Sequence, residues 1–120
     1  MKLAVVGSQL KSWKGEDHRL KAVTMIRAFL VALEPEFFIS GGADGVDTWA
    51  ENLADLYDIP KKIFFPEQQN WLAYKSRNIL IASECEALVS IRSIHSETYG
   101  SGWTADYTES LGKKVWRFEL

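Results

Sequence analysis

Residues 37–51 read FFISGGADGVDTWAE, and this stretch decides the fold. Phe37, Phe38 and Ile39 are apolar and suit a buried strand. Three glycines, Gly41, Gly42 and Gly45, then fall within six positions, after which Val46, Trp49, Ala50, Leu53 and Tyr57 recur at helical spacing. Glycine at a strand-to-helix joint opens backbone angles closed to other residues. It also lets a ligand reach the amide N–H groups of a helix N-terminus, where the helix dipole favours an anion.

The same alternation runs outward to both ends. Met1 to Gly7 is a continuously apolar strand that stops at Gly7-Ser8, and residues 9–16 form a polar loop. Ala22, Val23, Ile26, Phe29, Leu30 and Leu33 mark a helix that Pro35 ends. Glu36 to Ser40 gives the second strand, and Lys62 to Phe65 the third, closed by Pro66. A helix lies within Asn70 to Ser83, its start not fixed by the pattern, and Ala87 to Ile91 is the fourth strand. A loop rich in serine and glycine covers Arg92 to Gly102, a last helix runs from Trp103 to Leu111 with Gly112 as its cap, and Val115 to Leu120 is the fifth strand. Strands and helices that alternate through short connections predict an α/β protein with a parallel sheet covered on both faces. With 120 residues and no linker or repeat, residues 1–120 read as a single domain.

Composition narrows the function. No segment approaches the about 18 apolar residues that span a bilayer, and MKLAVVGS lacks the basic region and cleavage site of a signal peptide, so a cytoplasmic protein with no membrane partner is expected. One cysteine, Cys85, excludes an internal disulfide, and His18 and His95 stand apart from ligand-like neighbours, so neither a metal site nor a cofactor is expected. The net charge of −2 argues against a nucleic-acid partner held by bulk charge, although Lys11, Lys14 and Arg19 offer a small basic rim. Tryptophans stand at 13, 49, 71, 103 and 116, each a core or interface anchor or a surface for ligand stacking.

In an open α/β sheet, ligands bind where the loops leaving the carboxyl ends of the strands converge. Those loops hold Gly7 and Ser8, then Ser40 to Gly45, then residues 66–70, then residues 93–104. The GGxxG run is neither a P-loop nor a dinucleotide fingerprint, and by itself is also a tight turn. Asp44 and Asp47 have two uses: capping the following helix, or accepting hydrogen bonds from ribose hydroxyls or a base edge. Arg77, with Asn78 beside it, offers a guanidinium fork for phosphate. Gly100, Ser101 and Gly102 repeat the open backbone, Thr104 adds a hydroxyl, and Asp106 and Glu109 add acids to the last helix.

Taken together, MKLAVVGS, SGGADGVDTWAENLAD, KSRNILIAS and YGSGWTADYTESLGKKV resemble the SLOG superfamily, most closely its small stand-alone YspA-like members. That superfamily also holds the DNA-processing protein A family and the LOG phosphoribohydrolases. The resemblance implies a Rossmann-like three-layer sandwich with a mainly parallel five-stranded sheet. It also implies a crevice for a nucleotide or nucleotide-derived small molecule, lined by Gly7, Ser8, Ser40, Gly41, Gly42, Asp47, Arg77, Asn78, Gly100, Ser101, Gly102 and Thr104. Asp44, Gly45 and Trp103 join this set from the reading of the loops. A nucleotide N-glycosidase would use Arg77 with Asp106 or Glu109. The LOG glutamate falls three residues past the GT threonine, where this chain has Tyr107, and one residue turns a helical side chain by about 100°, so neither acid replaces it cleanly. A binding module that senses, carries or sequesters its ligand is therefore the leading expectation. The N-glycosidase and a single-stranded DNA-binding protein are the alternatives, and a homodimer is the expected assembly.

Overall fold

The computed structural model describes residues 1–120. Five strands alternate with four helices: β1 (Lys2–Gly7), α1 (Glu16–Leu33), β2 (Phe37–Ser40), α2 (Val46–Leu56), β3 (Lys61–Ile63), α3 (Trp71–Glu84), β4 (Ala87–Arg92), α4 (Gly100–Ser110) and β5 (Lys114–Glu119). A single turn of 3₁₀ helix, Leu10–Ser12, lies between β1 and α1. The sheet order is β3-β2-β1-β4-β5 and every pairing is parallel, so the fold is the Rossmann-like α/β sandwich expected, with no antiparallel member. The chain winds outward from β1 to β3, crosses back to β4 and winds the other way. The strand order therefore reverses between β1 and β4.

That reversal puts α1 and α2 on one face and α3 and α4 on the other, because right-handed crossovers running in opposite directions fall on opposite faces. Strand periodicity sorts the core accordingly. Leu3 and Val5 point into a cluster with Ile26 and Leu30 of α1 and Val46, Trp49 and Leu53 of α2. Ala4 and Val6, one position out of phase, point to a smaller cluster with Ile81 of α3 and Ala105 of α4. Each large apolar side chain buried completely, such as Phe38, Ile39 or Leu88, contributes roughly 1.5–3 kcal/mol. Phe29 of α1 extends the first cluster to the edge strand, 5.2 Å from the Trp116 ring and 5.7 Å from the Phe118 ring.

The third strand, read as Lys62 to Phe65, is Lys61–Ile63, so Phe64 and Phe65 lie beyond it, and three helix starts are set by contacts that the sequence pattern did not fix. α1 begins at Glu16, not near Ala22, because Gly15, at φ 92°, turns the chain, and Glu16 and Asp17 then place carboxylates in the first turn. α3, left without a start by its pattern, begins at Trp71, where the Asn70 side chain accepts the Ala73 N–H at 2.9 Å. α4 begins at Gly100, not Trp103, so Gly100, Ser101 and Gly102 form its first turn and are not a preceding loop. No helix is long and apolar enough to cross a membrane.

Candidate functional site

The carboxyl ends of β1 and β4, flanking the reversal, and of neighbouring β2 open into one cavity of about 860 Å³. Its floor is set by close packing. A Cβ on Gly7 would stand 2.3 Å from the Ile91 carbonyl and 2.6 Å from Val46 Cβ, so the start of α2 seats against the end of β1 only because residue 7 has no side chain. Ser8 is buried and committed to structure. Its Oγ accepts the Ser93 N–H at 2.8 Å, and its carbonyl accepts the Trp13 indole N–H at 3.1 Å and the Val46 N–H at 3.3 Å.

The aspartates of the glycine loop have separate partners. Asp44 does not cap α2: the N-cap is Gly45, without a side-chain bond, and Asp44 Oδ1 accepts the Leu10 N–H at 3.3 Å from the neighbouring loop. Gly45, at φ 87°, has no room for a Cβ beside the Ser8 carbonyl and the Leu10 amide. Asp47 reaches back from the first turn of α2, its Oδ2 accepting the Ala43 N–H at 3.3 Å. Burial pushes its carboxyl up from 3.8 to about 7, opposed by Arg77 and the Ala43 amide, reinforced by Glu51 and again opposed by the Gly41 amide.

Arg77 arrives from the middle of α3 and is half-buried. It donates from Nη1 to the Gly41 carbonyl and from Nε to Asn78 Oδ1 at 2.7 Å, which leaves Nη2 and one Nη1 hydrogen for other partners. Burial draws its basicity down, while Asp47 and Tyr74 hold it up. Across the cavity, the N–H groups of Gly100, Ser101 and Gly102 have no acceptor in the chain, as expected for the first turn of a helix. A Cβ on Gly100 would meet nothing within 4 Å, so the space beside its Cα is open. Thr104 is buried and its hydroxyl donates to the Gly100 carbonyl at 2.9 Å.

Aromatic side chains close the sides. Trp71 meets Trp103 edge-on with centroids 5.6 Å apart, Trp103 stacks on Tyr107 at 5.3 Å, and Phe65, Tyr74 and Tyr99 complete the rim. The sequence reading missed Phe65, Tyr74 and Tyr99, and named Trp71 only as one of five tryptophans with a core, interface or stacking use. Trp71 and Tyr74, three residues apart at the start of a helix facing the Pro66 loop, carried the signal for that pair.

Gly7, Ser8, Gly41, Gly42, Asp44, Asp47, Arg77, Asn78, Gly100, Ser101, Trp103 and Thr104 all line this cavity. Ser40, Gly45 and Gly102 lie outside its wall. The Ser40 hydroxyl bonds to Glu51, and Gly102 lies under the Tyr99 ring. Asp106 and Glu109 also lie outside: they pair with Arg117 of β5 at 3.0 and 3.4 Å. Trp13, offered by the sequence as a stacking surface, is buried 5.7 Å from Trp49.

An all-parallel sheet of this order, with a glycine-lined crevice at its reversal, is a Rossmann-like fold. Solved structures share the fold. A structural-genomics target, TM1055, aligns over 95% of this chain and 71% of its own, with a TM-score of 0.71 and 19% identity. DNA processing protein A from Streptococcus pneumoniae aligns over 97% of this chain with a TM-score of 0.74 and 21% identity, and this chain spans 49% of its length. The molybdenum cofactor carrier protein of Chlamydomonas reinhardtii aligns over 97% of this chain and 74% of its own, with a TM-score of 0.69 and 16% identity. No family model matches the chain, and no curated protein matches it by sequence.

Proposed function

We propose that this chain is a cytoplasmic binding module for a nucleotide or nucleotide-derived small molecule, which it senses, carries or sequesters. One observation carries the reading. A single cavity holds the half-buried Arg77 guanidinium, the open amides of Gly100 and Ser101, and the aromatic pair Trp71 and Trp103. The first two are complementary to a phosphate, the third to a planar base. That the same fold serves a protein described as a molybdenum cofactor carrier supports a carrier role. Hydrolysis is the weaker reading, because Asp106 and Glu109 are turned to Arg117 and away from the cavity.

Mass spectrometry of the protein purified from its native host under non-denaturing conditions tests this directly. A bound phosphorylated small molecule supports it. So does saturable quenching of tryptophan fluorescence by AMP without release of free adenine. No bound molecule and no response to any nucleoside monophosphate would sink the reading. Binding of single-stranded DNA that weakens steeply with salt would favour the nucleic-acid alternative. Light scattering on the eluting protein tests the homodimer, with a monomer mass counting against it.

A further inference from the structure

The segment between β4 and α4 is fastened at both ends and loose between them. At its base the Ser93 N–H donates to Ser8 Oγ at 2.8 Å, the Ser93 hydroxyl to the Ser12 carbonyl at 2.6 Å, and the Ile94 N–H to the Leu120 carbonyl at 2.9 Å. At the other end Tyr99 is the N-cap of α4, and its carbonyl accepts the Trp103 N–H at 2.7 Å. Between these points the N–H groups of Glu97, Thr98 and Tyr99 find no acceptor in the chain, and His95, Glu97, Thr98 and Tyr99 are exposed. Ser96, Thr98 and Tyr99 nonetheless line the cavity. A short run with exposed backbone and few hydrogen bonds of its own opens at low cost.

From outside, one side chain reaches the far half of this run. Arg92, the last residue of β4, donates from Nη2 to the Thr98 carbonyl at 3.1 Å and lies 5.0 Å from the centre of the Tyr99 ring. Glu119 of β5 anchors the same guanidinium through Nη1 at 3.4 Å. Its Nε is buried without a partner. An unmet buried donor destabilises this arrangement, and water that reaches Nε when the run lifts offsets part of the cost of opening. Arg92 thus holds residues 95–99 in place and also eases their release. We infer that residues 95–99 are a movable strap at the cavity, that Arg92 is the positioning residue that latches it, and that bound ligand leaves when the latch is released. The strap and its latch stand on the chain's own contacts, whereas the ligand they confine rests on the nucleotide reading above.

The test is cleavage by a glutamate-specific protease, followed well below the melting temperature. A protease needs several residues extended, so the rate of cutting after Glu97 tracks the open population of the strap. Arg92→Lys keeps the charge but has one ammonium for two partners, and is expected to speed this cut at least ~5-fold. Glu119→Gln keeps the Thr98 and Tyr99 contacts and is expected to change it less than ~2-fold. Equal speeding by both variants shows a fraying sheet edge in place of a latch, and an unchanged rate in Arg92→Lys shows a strap held without Arg92. Either result overturns the inference. Stopped-flow tryptophan fluorescence reads ligand release: AMP is expected to leave Arg92→Lys at least ~5-fold faster than the wild type, and an unchanged dissociation rate overturns the gating role. If neither chain binds AMP while Arg92→Lys still speeds the cut, the latch stands and the nucleotide reading falls. Should Arg92→Lys fail to fold, Tyr99→Leu keeps an apolar cover on Gly102 and takes the ring from the guanidinium. It is expected to speed the cut after Glu97 several-fold, and an unchanged rate overturns the inference.

Discussion

Arg77 and Asp47 stand on either side of the space that a side chain at residue 41 would fill. A Cβ built on Gly41 would lie 2.8 Å from Arg77 Nη1 and 2.9 Å from Asp47 Oδ2, so the missing side chain lets an arginine from α3 and an aspartate from α2 share one corner of the cavity. Both groups are desolvated there, which moves each toward its neutral form. This corner therefore sets a fixed donor array beside a carboxyl whose charge changes near neutral pH.

Arg77→Ala should weaken AMP binding by about 10- to 100-fold, the range for losing a charge-assisted hydrogen bond to phosphate. Arg77→Lys should recover only part of it, since an ammonium cannot hold Gly41, Asn78 and a phosphate with one planar fork. Fluorescence titration reads both, and an unchanged affinity in Arg77→Ala would remove the anion from this corner.

Asp47 gives stability a pH dependence with a defined sign. Its pKa is raised in the folded chain, from 3.8 to about 7, so between those values the folded state holds a proton that the unfolded state releases. Stability from this group is present at low pH, falls as pH rises through the window by up to ~1.4 kcal/mol per unit, and levels off above it. Asp47→Asn removes the dependence. Its melting temperature relative to wild type should therefore climb between pH 4 and pH 7, read by thermal denaturation across a pH series. A constant difference would show that Asp47 ionises normally.

Two glycines should separate folding from binding. Gly7→Ala drives a methyl into the Ile91 carbonyl and Val46, both held by the core, and should cost about 1–3 kcal/mol or more, visible as a lowered melting temperature. Gly100→Ala meets nothing within 4 Å and should leave melting unchanged, while the methyl at the open turn of α4 weakens AMP. Equal effects of the two substitutions on melting would contradict this division.

Asp106→Ala and Glu109→Ala, alone or together, should leave AMP affinity untouched and change stability by less than about 1 kcal/mol. Both acids are solvent-exposed partners of Arg117. A loss of ligand binding in either variant would bring α4's outer face back into the site.

Much of the site was legible from sequence because it is local. A glycine's missing side chain, a helix's open N-terminus and their position after a strand are properties of a few adjacent residues, so SGGADG and GSG pointed to the cavity without any knowledge of distant contacts. Asp44 was misread as a helix cap for the opposite reason, and the partners of the two acids of α4 were equally illegible. Whether Asp44 caps its own helix or takes the Leu10 amide depends on where a loop 34 positions away comes to rest. Which way Asp106 and Glu109 reach depends likewise on where Arg117 of β5 comes to rest.

The sequence by itself determined the alternation of strands and helices, the parallel sheet and the edge at which a ligand would sit, because hydrophobic period and right-handed crossovers leave few other arrangements. Only the tertiary structure decided which side chains meet. It joined Arg77 to Gly41 and Asp47, sent Trp13 into the core and Trp71 to the cavity, and turned Asp106 and Glu109 outward. Partners brought together by long-range packing leave no local pattern along the chain. Burial, which separates a reactive carboxyl from a solvated one, exists only once the chain has closed around it.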